Sequence, residues 1–302
     1  EADESDGSFL FLKSYISVVT NIEADHLEFY KTIDNLKNYF FKFLNNTSLN
    51  GFRILCGDNM QISELIKEKN IKEFYTYGLK EENDIRAENI RFNSEGSTFE
   101  VYYKGKYFGK GSLKLPGVHN VVNVLCAVLT GIIAGIKDDD IFEILSSFKG
   151  VKRRFELRGC FNGISFVDDY AHHPTEVGAT LQAANHGEWG RIVCIFQPHR
   201  FSRTKFLGSV FGKSFGYADL LIVTDVYGAG EEPIPGVTGK NILDAVLKEN
   251  PYKKVVYLPR LDEISNYLIP QLKDGDLVLT MGAGDITMLS NDLLSSLEQA
   301  GK

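Results

Sequence analysis

The chain has 302 residues, of which 43% are hydrophobic and 24% charged, with a net charge of −7. That length suffices for two domains with separate cores, and the acidic balance argues against nucleic acid as the main partner. Four scattered cysteines (Cys56, Cys126, Cys160 and Cys194) with no C-x-x-C pair suit a reducing compartment, and exclude a disulfide frame and a zinc site.

The chain opens on the carboxylate-rich "EADESD" without a methionine, which reads as a fragment of something longer. "YISVVTNI" (Tyr15–Ile22) predicts a buried strand, followed by a helix over about 25–45. "RILCG" and "EFYTYG" are short strands flanking a helix near 62–69. "STFEVYYKGKYFGKGSLKL" alternates as an antiparallel hairpin with Lys104-Gly105 at its turn. "HNVVNVLCAVLTGIIAGI" is a long buried helix, too short to span a bilayer comfortably, and "DDDIFEILSSF" a second with an acidic first turn. No basic-then-apolar leader is present, no membrane partner is expected, and the cytoplasm is the expected location.

From there the pattern becomes regular. Strands "ISFVD", "RIVCIF", "DLLIVTD", "KKVVYL" and "DLVLTM" alternate with helices near 174–185, 203–215, 238–248, 262–270 and 285–299. Such alternation predicts an α/β fold with a Rossmann-like, doubly wound parallel sheet, and "KGVKRRFELRG" (149–159) is the expected hinge. Ligands bind outside the carboxyl ends of the strands in such sheets. Two polar clusters fall there, Asp168–His173 and Gln197–Arg203.

In "QPHRFSRT", Arg200 and Arg203 sit in the first turn of a predicted helix. Cations oppose the macrodipole at that end, which makes sense if an anion binds there among guanidinium forks, with His199 crowding the same spot. A solvated basic patch is the bland alternative. In "VDDYAHHPTEV", Pro174 and Glu176 fit a helix start, but a cap needs one polar residue where five are present. His172 and His173 as a metal pair is disfavoured against the i,i+4 spacing that binds zinc, and a substrate grip is preferred. Asn120 and Asn123 share a helical face that could bond an adenine edge, although on these residues alone a cap plus one buried polar residue is the favoured reading. "TNIEADH" ends a strand with carboxylates and His26, suiting either a helix cap at Asp25 or Mg²⁺.

Two glycine-rich stretches are decoys. "GVTGKN" (236–241) imitates a phosphate loop, but no strand leads into it and Asn241 replaces the hydroxyl residue. "MGAGD" (281–285) lacks the third glycine of a dinucleotide fingerprint and sits on the last strand.

Taken together, "EADESDGSFL", "VVTNIEADH", "LPGVHNVVN", "GVKRRFE", "VDDYAHHPTEV", "FQPHRFSRT", "DVYGAGEEPIPGV" and "GAGDI" resemble, in this order, the Mur ligases of peptidoglycan synthesis. Within that family they are similar to the branch that joins L-alanine to UDP-N-acetylmuramate; murein peptide ligases share "HHPT" but not "QPHRFSRT". The resemblance implies that residues 1–155 are the rear of the central ATP-binding domain, with the hairpin as a small-sheet insertion, and that residues 156–302 are the C-terminal domain. It implies ATP and Mg²⁺ as cofactors. Glu1 and His26 would be Mg²⁺ ligands, and Asn120 and Asn123 would hold adenine. Arg154 would meet the γ-phosphate, and Asp169 the ribose. Tyr170, His172, His199, Arg200 and Arg203 would surround alanine and the muramoyl carboxylate, with Arg154, His172 and His199 as the catalytic set. The family's UDP-binding domain and G-T-x-G-K-T loop have no counterpart in these residues, so the fragment is expected to be inactive alone. Two rival readings are a non-catalytic nucleotide or amino-acid binding module and, on the doubly wound half only, a nicotinamide oxidoreductase.

Overall fold

A computed structural model describes residues 2–93 and 96–300 and divides the chain into two units, Glu1–Phe148 and Lys149–Lys302. Among the described residues no helix is long and apolar enough to cross a membrane.

The first unit begins with β1 (Ile16–Val19), α1 (Leu27–Tyr30) and α2 (Ile33–Asn45). The single helix expected over 25–45 is thus two. Lys31 adopts a left-handed φ of 68°, and Thr32 starts afresh by accepting a hydrogen bond from the Asn35 N–H. The N-cap residue of α1 is His26, and the Asp25 carboxylate accepts from the His26 N–H. Next come β2 (Phe52–Cys56), α3 (Met60–Lys69), capped by Asn59, and β3 (Tyr75–Gly78). β4 (Ile85–Asn93) was not expected. Its alternation is interrupted by a bulge at Asn89, where φ is 51°, so period-two reading fails midway along it. It extends the expected hairpin of β5 (Gly96–Tyr103) and β6 (Lys106–Leu113) into a three-stranded meander. Lys104 and Gly105 both have positive φ at the β5–β6 turn, as a two-residue primed turn requires. The six strands follow the order β1-β2-β3-β4-β5-β6, parallel as far as β4 and antiparallel after it. α4 (Val118–Ile133) and α5 (Asp138–Ser147) complete the unit, and Val121, Leu125, Val128 and Leu129 on α4 are fully buried in its core.

The second unit comprises β7 (Glu156–Phe161), β8 (Ile164–Asp169), α6 (Pro174–Ala184), β9 (Arg191–Phe196), α7 (Phe201–Leu207), β10 (Leu220–Val223), α8 (Lys240–Glu249), β11 (Val255–Tyr257), α9 (Leu261–Leu268), β12 (Asp276–Met281) and α10 (Thr287–Ala300). β7 begins inside the stretch read as a hinge and pairs antiparallel with β8 at the sheet edge. The helix expected over 203–215 stops at Leu207 and gives way to a 3₁₀ turn at Val210–Lys213. The remaining five strands are parallel, in the order β11-β10-β9-β12-β8. Successive residues face opposite sides. Val167, Cys194 and Leu279 join α6 and α8 on one face, while Phe166, Ile195 and Val278 join α9 and α10 on the other.

The strand order positions the site. The chain moves outward from β8 to β9, β10 and β11, and then its last strand returns to lie between β8 and β9. The segments after β8, β9 and β12 therefore emerge side by side at the carboxyl end of the sheet, where the strand order switches.

Candidate functional site

β8 ends in Asp168 and Asp169, both buried. Asp168 Oδ2 accepts from Arg153 Nε (3.1 Å), Arg158 Nη2 (3.1 Å) and Thr287 Oγ1 (2.7 Å), and Oδ1 accepts from Thr280 Oγ1 (2.8 Å). Asp169 accepts the N–H of Phe155 on one oxygen (2.7 Å) and that of Ala171 on the other (2.8 Å). Burial pushes its carboxyl up to about 6 against the pull of those two donors and Arg154. Both of its oxygens thus serve the backbone.

The residues after β8 start α6. His173 is its N-cap, its Nδ1 facing the Thr175 N–H, and Glu176 closes a capping box by accepting the N–H of both His172 and His173. A histidine in the cap role explains part of the polar cluster without a metal. His172 Nδ1 lies 2.9 Å from the Tyr170 carbonyl; a carbonyl only accepts, so Nδ1 carries the proton. Burial would raise the Glu176 carboxyl, but His172, the two N–H donors and Arg154 hold it below its ordinary value.

The residues after β9 pack against this turn. His199 and Tyr227 form an isolated bridge between two loops, with Arg200 N–H donating to the Tyr227 carbonyl and Tyr227 N–H to that of Pro198. Their rings stack at 5.7 Å, and the His172 ring meets His199 at 5.6 Å and Tyr170 at 5.2 Å. Arg203 is buried, with Nη1 3.1 Å from His199 Nδ1. A guanidinium can only donate, so the His199 proton sits on Nε2. Burial first, then His172, Arg203 and Arg200, push the His199 imidazole down to about 4, with Glu231 opposing. Arg200 is the left-handed N-cap of α7 (φ 68°) and reaches Glu231 at 4.0 Å, while Glu231 also takes the N–H and hydroxyl of Ser202. Arg154 stands over the Tyr170 ring at 5.6 Å and 3.6 Å from Glu176.

Six residues singled out in the sequence, Arg154, Tyr170, His172, His199, Arg200 and Arg203, are therefore brought together in the second unit. The arrangement offers guanidiniums for anionic groups, an aromatic wall, and one imidazole held neutral with a donating Nε2–H. Sequence reading placed Asp168 in a polar cluster without giving it a role, and missed Arg153 and Arg158, which gather around this buried carboxylate, and Tyr227, whose signal was the aromatic in "DVYGAGE" just beyond a strand. The glycines of "MGAGD" explain themselves as packing. A Cβ on Gly284 would lie 2.4 Å from Gln197 Oε1 and 2.6 Å from Tyr227 Cγ, and the carbonyls of Gly282 and Gly284 receive Arg153 Nη2. The other decoy is spent too. The Gly239 N–H donates to Asp225, and Lys240 is paired with Asp244 at 2.9 Å.

The remaining candidates lie in the first unit. Asn120 Nδ2 donates to the Pro116 carbonyl (2.7 Å) ahead of α4, whose cap is Gly117, and Asn123 is exposed one turn on. His26, left-handed at φ 54°, has Nε2 3.6 Å from carboxylate oxygens of both Glu4 and Asp25. Its Nδ1 is buried, has no hydrogen-bond partner among the described residues, and lies 3.7 Å from Glu28. An imidazole nitrogen left over amid carboxylates fits a divalent cation, although no three His, Cys, Asp or Glu side chains among the described residues converge as a metal cage. Glu1, the other expected ligand, lies outside the described residues.

Comparison with known proteins agrees with this architecture. Residues 2–131 match the Mur ligase middle domain, and residues 153–284 match the Mur ligase glutamate ligase domain. The UDP-N-acetylmuramate–L-alanine ligase of Pelotomaculum thermopropionicum is 43% identical over 303 aligned residues, which take in 100% of this chain and 65% of that protein. The chain thus spans about two thirds of the length of such relatives. The crystal structure of UDP-N-acetylmuramate–alanine ligase from Thermotoga maritima superposes with a TM-score of 0.80 at 27% identity, covering 99% of this chain and 63% of that one. A MurF ligase from the same organism, solved in complex with ADP, shares the fold at 19% identity and a TM-score of 0.74, over 95% of this chain and 63% of its own.

Proposed function

The chain belongs to the Mur ligase family, and from that premise we propose that the whole protein joins L-alanine to UDP-N-acetylmuramate at the expense of ATP in peptidoglycan precursor synthesis, in the cytoplasm. A muramate carboxylate oxygen attacks the γ-phosphorus of ATP, the bond to the β–γ bridging oxygen breaks, and ADP leaves as the acyl phosphate forms. The amine of L-alanine then attacks the acyl carbon, loses a proton and expels phosphate. Such a route needs charge stabilisation around the phosphoryl group and close placement of the reactants.

One observation carries the reading: the convergence of Arg154, Tyr170, His172, His199, Arg200 and Arg203 at the carboxyl ends of β8 and β9. In this reading Arg203 and Arg200 hold carboxylate oxygens, with the His199 Nε2–H donating beside them. Arg154, half exposed, meets the transferred phosphoryl group. His172, with its proton on Nδ1, presents Nε2 as an acceptor near the amine. Asn120 and Asn123 on α4 take the adenine. Asp169 serves chiefly by ordering the turn that carries Tyr170. Mg²⁺ held by His26 with Glu1 would neutralise phosphate charge when bound. The central domain then ends at Phe148 and the C-terminal one begins at Lys149, ahead of the 155/156 boundary expected from the sequence.

The experiment is steady-state kinetics of the whole protein with L-alanine varied. Arg203→Ala removes a charged fork, so kcat/KM should fall at least about tenfold, roughly 1.4 kcal/mol. Unchanged kinetics would remove the amino-acid role from this cluster.

A further inference from the structure

We infer that Arg153 and Asp168 are positioning residues that hold Arg154 in its working orientation, an inference that rests on the proposed phosphoryl role of Arg154. The backbone around Arg154 is unusual. Arg153 and Phe155 on either side of it both have left-handed φ angles, 59° and 48°, which non-glycine residues adopt only where surrounding contacts over-determine them. Those contacts come from the paired aspartates at the end of β8. Asp168, fully buried, grips the Arg153 side chain. Asp169 accepts the Phe155 N–H at 2.7 Å. The Arg153 N–H donates to Glu156 (2.7 Å), and its carbonyl accepts from the Tyr170 N–H (2.7 Å).

The Arg153 guanidinium has a second function in this arrangement. Its Nε donates to Asp168 and its Nη2 to the carbonyls of Gly282 (2.5 Å) and Gly284 (3.4 Å), while its Cζ lies 4.9 Å from the centre of the Tyr170 ring. Three segments, those following β8 and β12 and that preceding β7, are thereby tied to one fork. The Arg154 guanidinium emerges between the two strained residues, over the same Tyr170 ring and towards Glu176. A residue clamped on both sides loses little orientational freedom when it meets its ligand, and that pre-organisation appears as rate. Lysine cannot replace the fork, because a single ammonium cannot reach the aspartate and the carbonyls in one plane.

The test is a double-mutant cycle in the whole protein, following phosphate release with ATP, Mg²⁺, UDP-N-acetylmuramate and L-alanine, together with thermal unfolding of each variant. R153K and D168N should each lower kcat at least about tenfold, with KM for L-alanine changed by less than about twofold. Introducing R153K into R154A should lower kcat by less than about twofold further, since the misplaced group is already gone. If D168N fails to fold, R153K, which keeps the cation opposite Asp168, carries the cycle. A purely structural clamp predicts a full further loss in R153K/R154A, and that result overturns the inference. Wild-type kcat in R154A sinks the phosphoryl role itself and the inference with it. Wild-type kcat in R153K beside an impaired R154A sinks the positioning role alone.

Discussion

Replacing Arg203 by methionine keeps most of its volume but deletes the charge that faces His199. The native His199 titrates near 4 instead of 6.5, and Arg203 is one of three cationic or ionisable neighbours that add to burial in lowering it. Charges about 4 Å apart interact by roughly 1 kcal/mol at the dielectric constant of water and roughly 4 kcal/mol at an effective value of 20. At about 1.4 kcal/mol per pH unit, and with the ring partly open to solvent, the Arg203→Met variant should titrate at least about one unit higher. It should not return to 6.5, because burial and the other neighbours remain. Between pH 6.5 and about 4 the unfolded chain protonates this imidazole and the folded chain does not. Stability from this group is therefore full above pH 6.5, declines as pH falls, and levels off below 4. The gap corresponds to about 3 kcal/mol by linkage, which solvent screening reduces to roughly 1–2 kcal/mol. The assay is NMR titration of the six histidines, with His199→Gln assigning the resonance, and nitrogen shifts reporting the tautomer. Native His199 should show the Nε2–H form, and Arg203→Met should release that constraint. A His199 midpoint unmoved by the substitution would mean that the guanidinium is not the group facing Nδ1.

Other expectations are simpler to test. Gly284→Ala places a methyl 2.4 Å from Gln197 Oε1 and 2.6 Å from Tyr227, so it should destabilise the second unit by about 1–3 kcal/mol in urea unfolding; an unchanged midpoint contradicts the packing argument. Asp276, fully buried, receives Arg191 through both carboxylate oxygens, so Asp276→Ala should cost about 3–5 kcal/mol by leaving the arginine without its partner. A loss under about 1 kcal/mol would place the pair in the class of exposed ion pairs. Expressed alone, the 302 residues should show no alanine-dependent phosphate release, since "GVTGKN" has its backbone donor and lysine already engaged. Turnover that vanishes in Lys240→Ala would restore that loop as the phosphate site.

Much of this molecule was legible locally. Periodicity located the five parallel strands of the second unit, because strands buried on both faces, as β8, β9, β10 and β12 are, must be short apolar runs whatever lies beside them. The Lys104-Gly105 turn and the Glu176 half of the α6 capping box depend only on φ preferences and side-chain reach over four residues, and both could be read directly. Elements whose form depends on a neighbour could not be read this way. β4 exists as the link between β3, which it pairs in parallel, and β5, which it pairs antiparallel, and its bulge erases the alternation. β7 has a half-exposed pattern that only the partner β8 turns into a strand. The site divides the same way. Its residue types stood out in the chain, but their company was settled by the last strand, β12, inserting between β8 and β9. Strand order is a long-range pairing choice that no local window contains. It placed Gly282 and Gly284 over Arg153, and it showed that Asp168 and Asp169, adjacent in sequence and alike in chemistry, serve different partners because successive strand residues face opposite sides of the sheet.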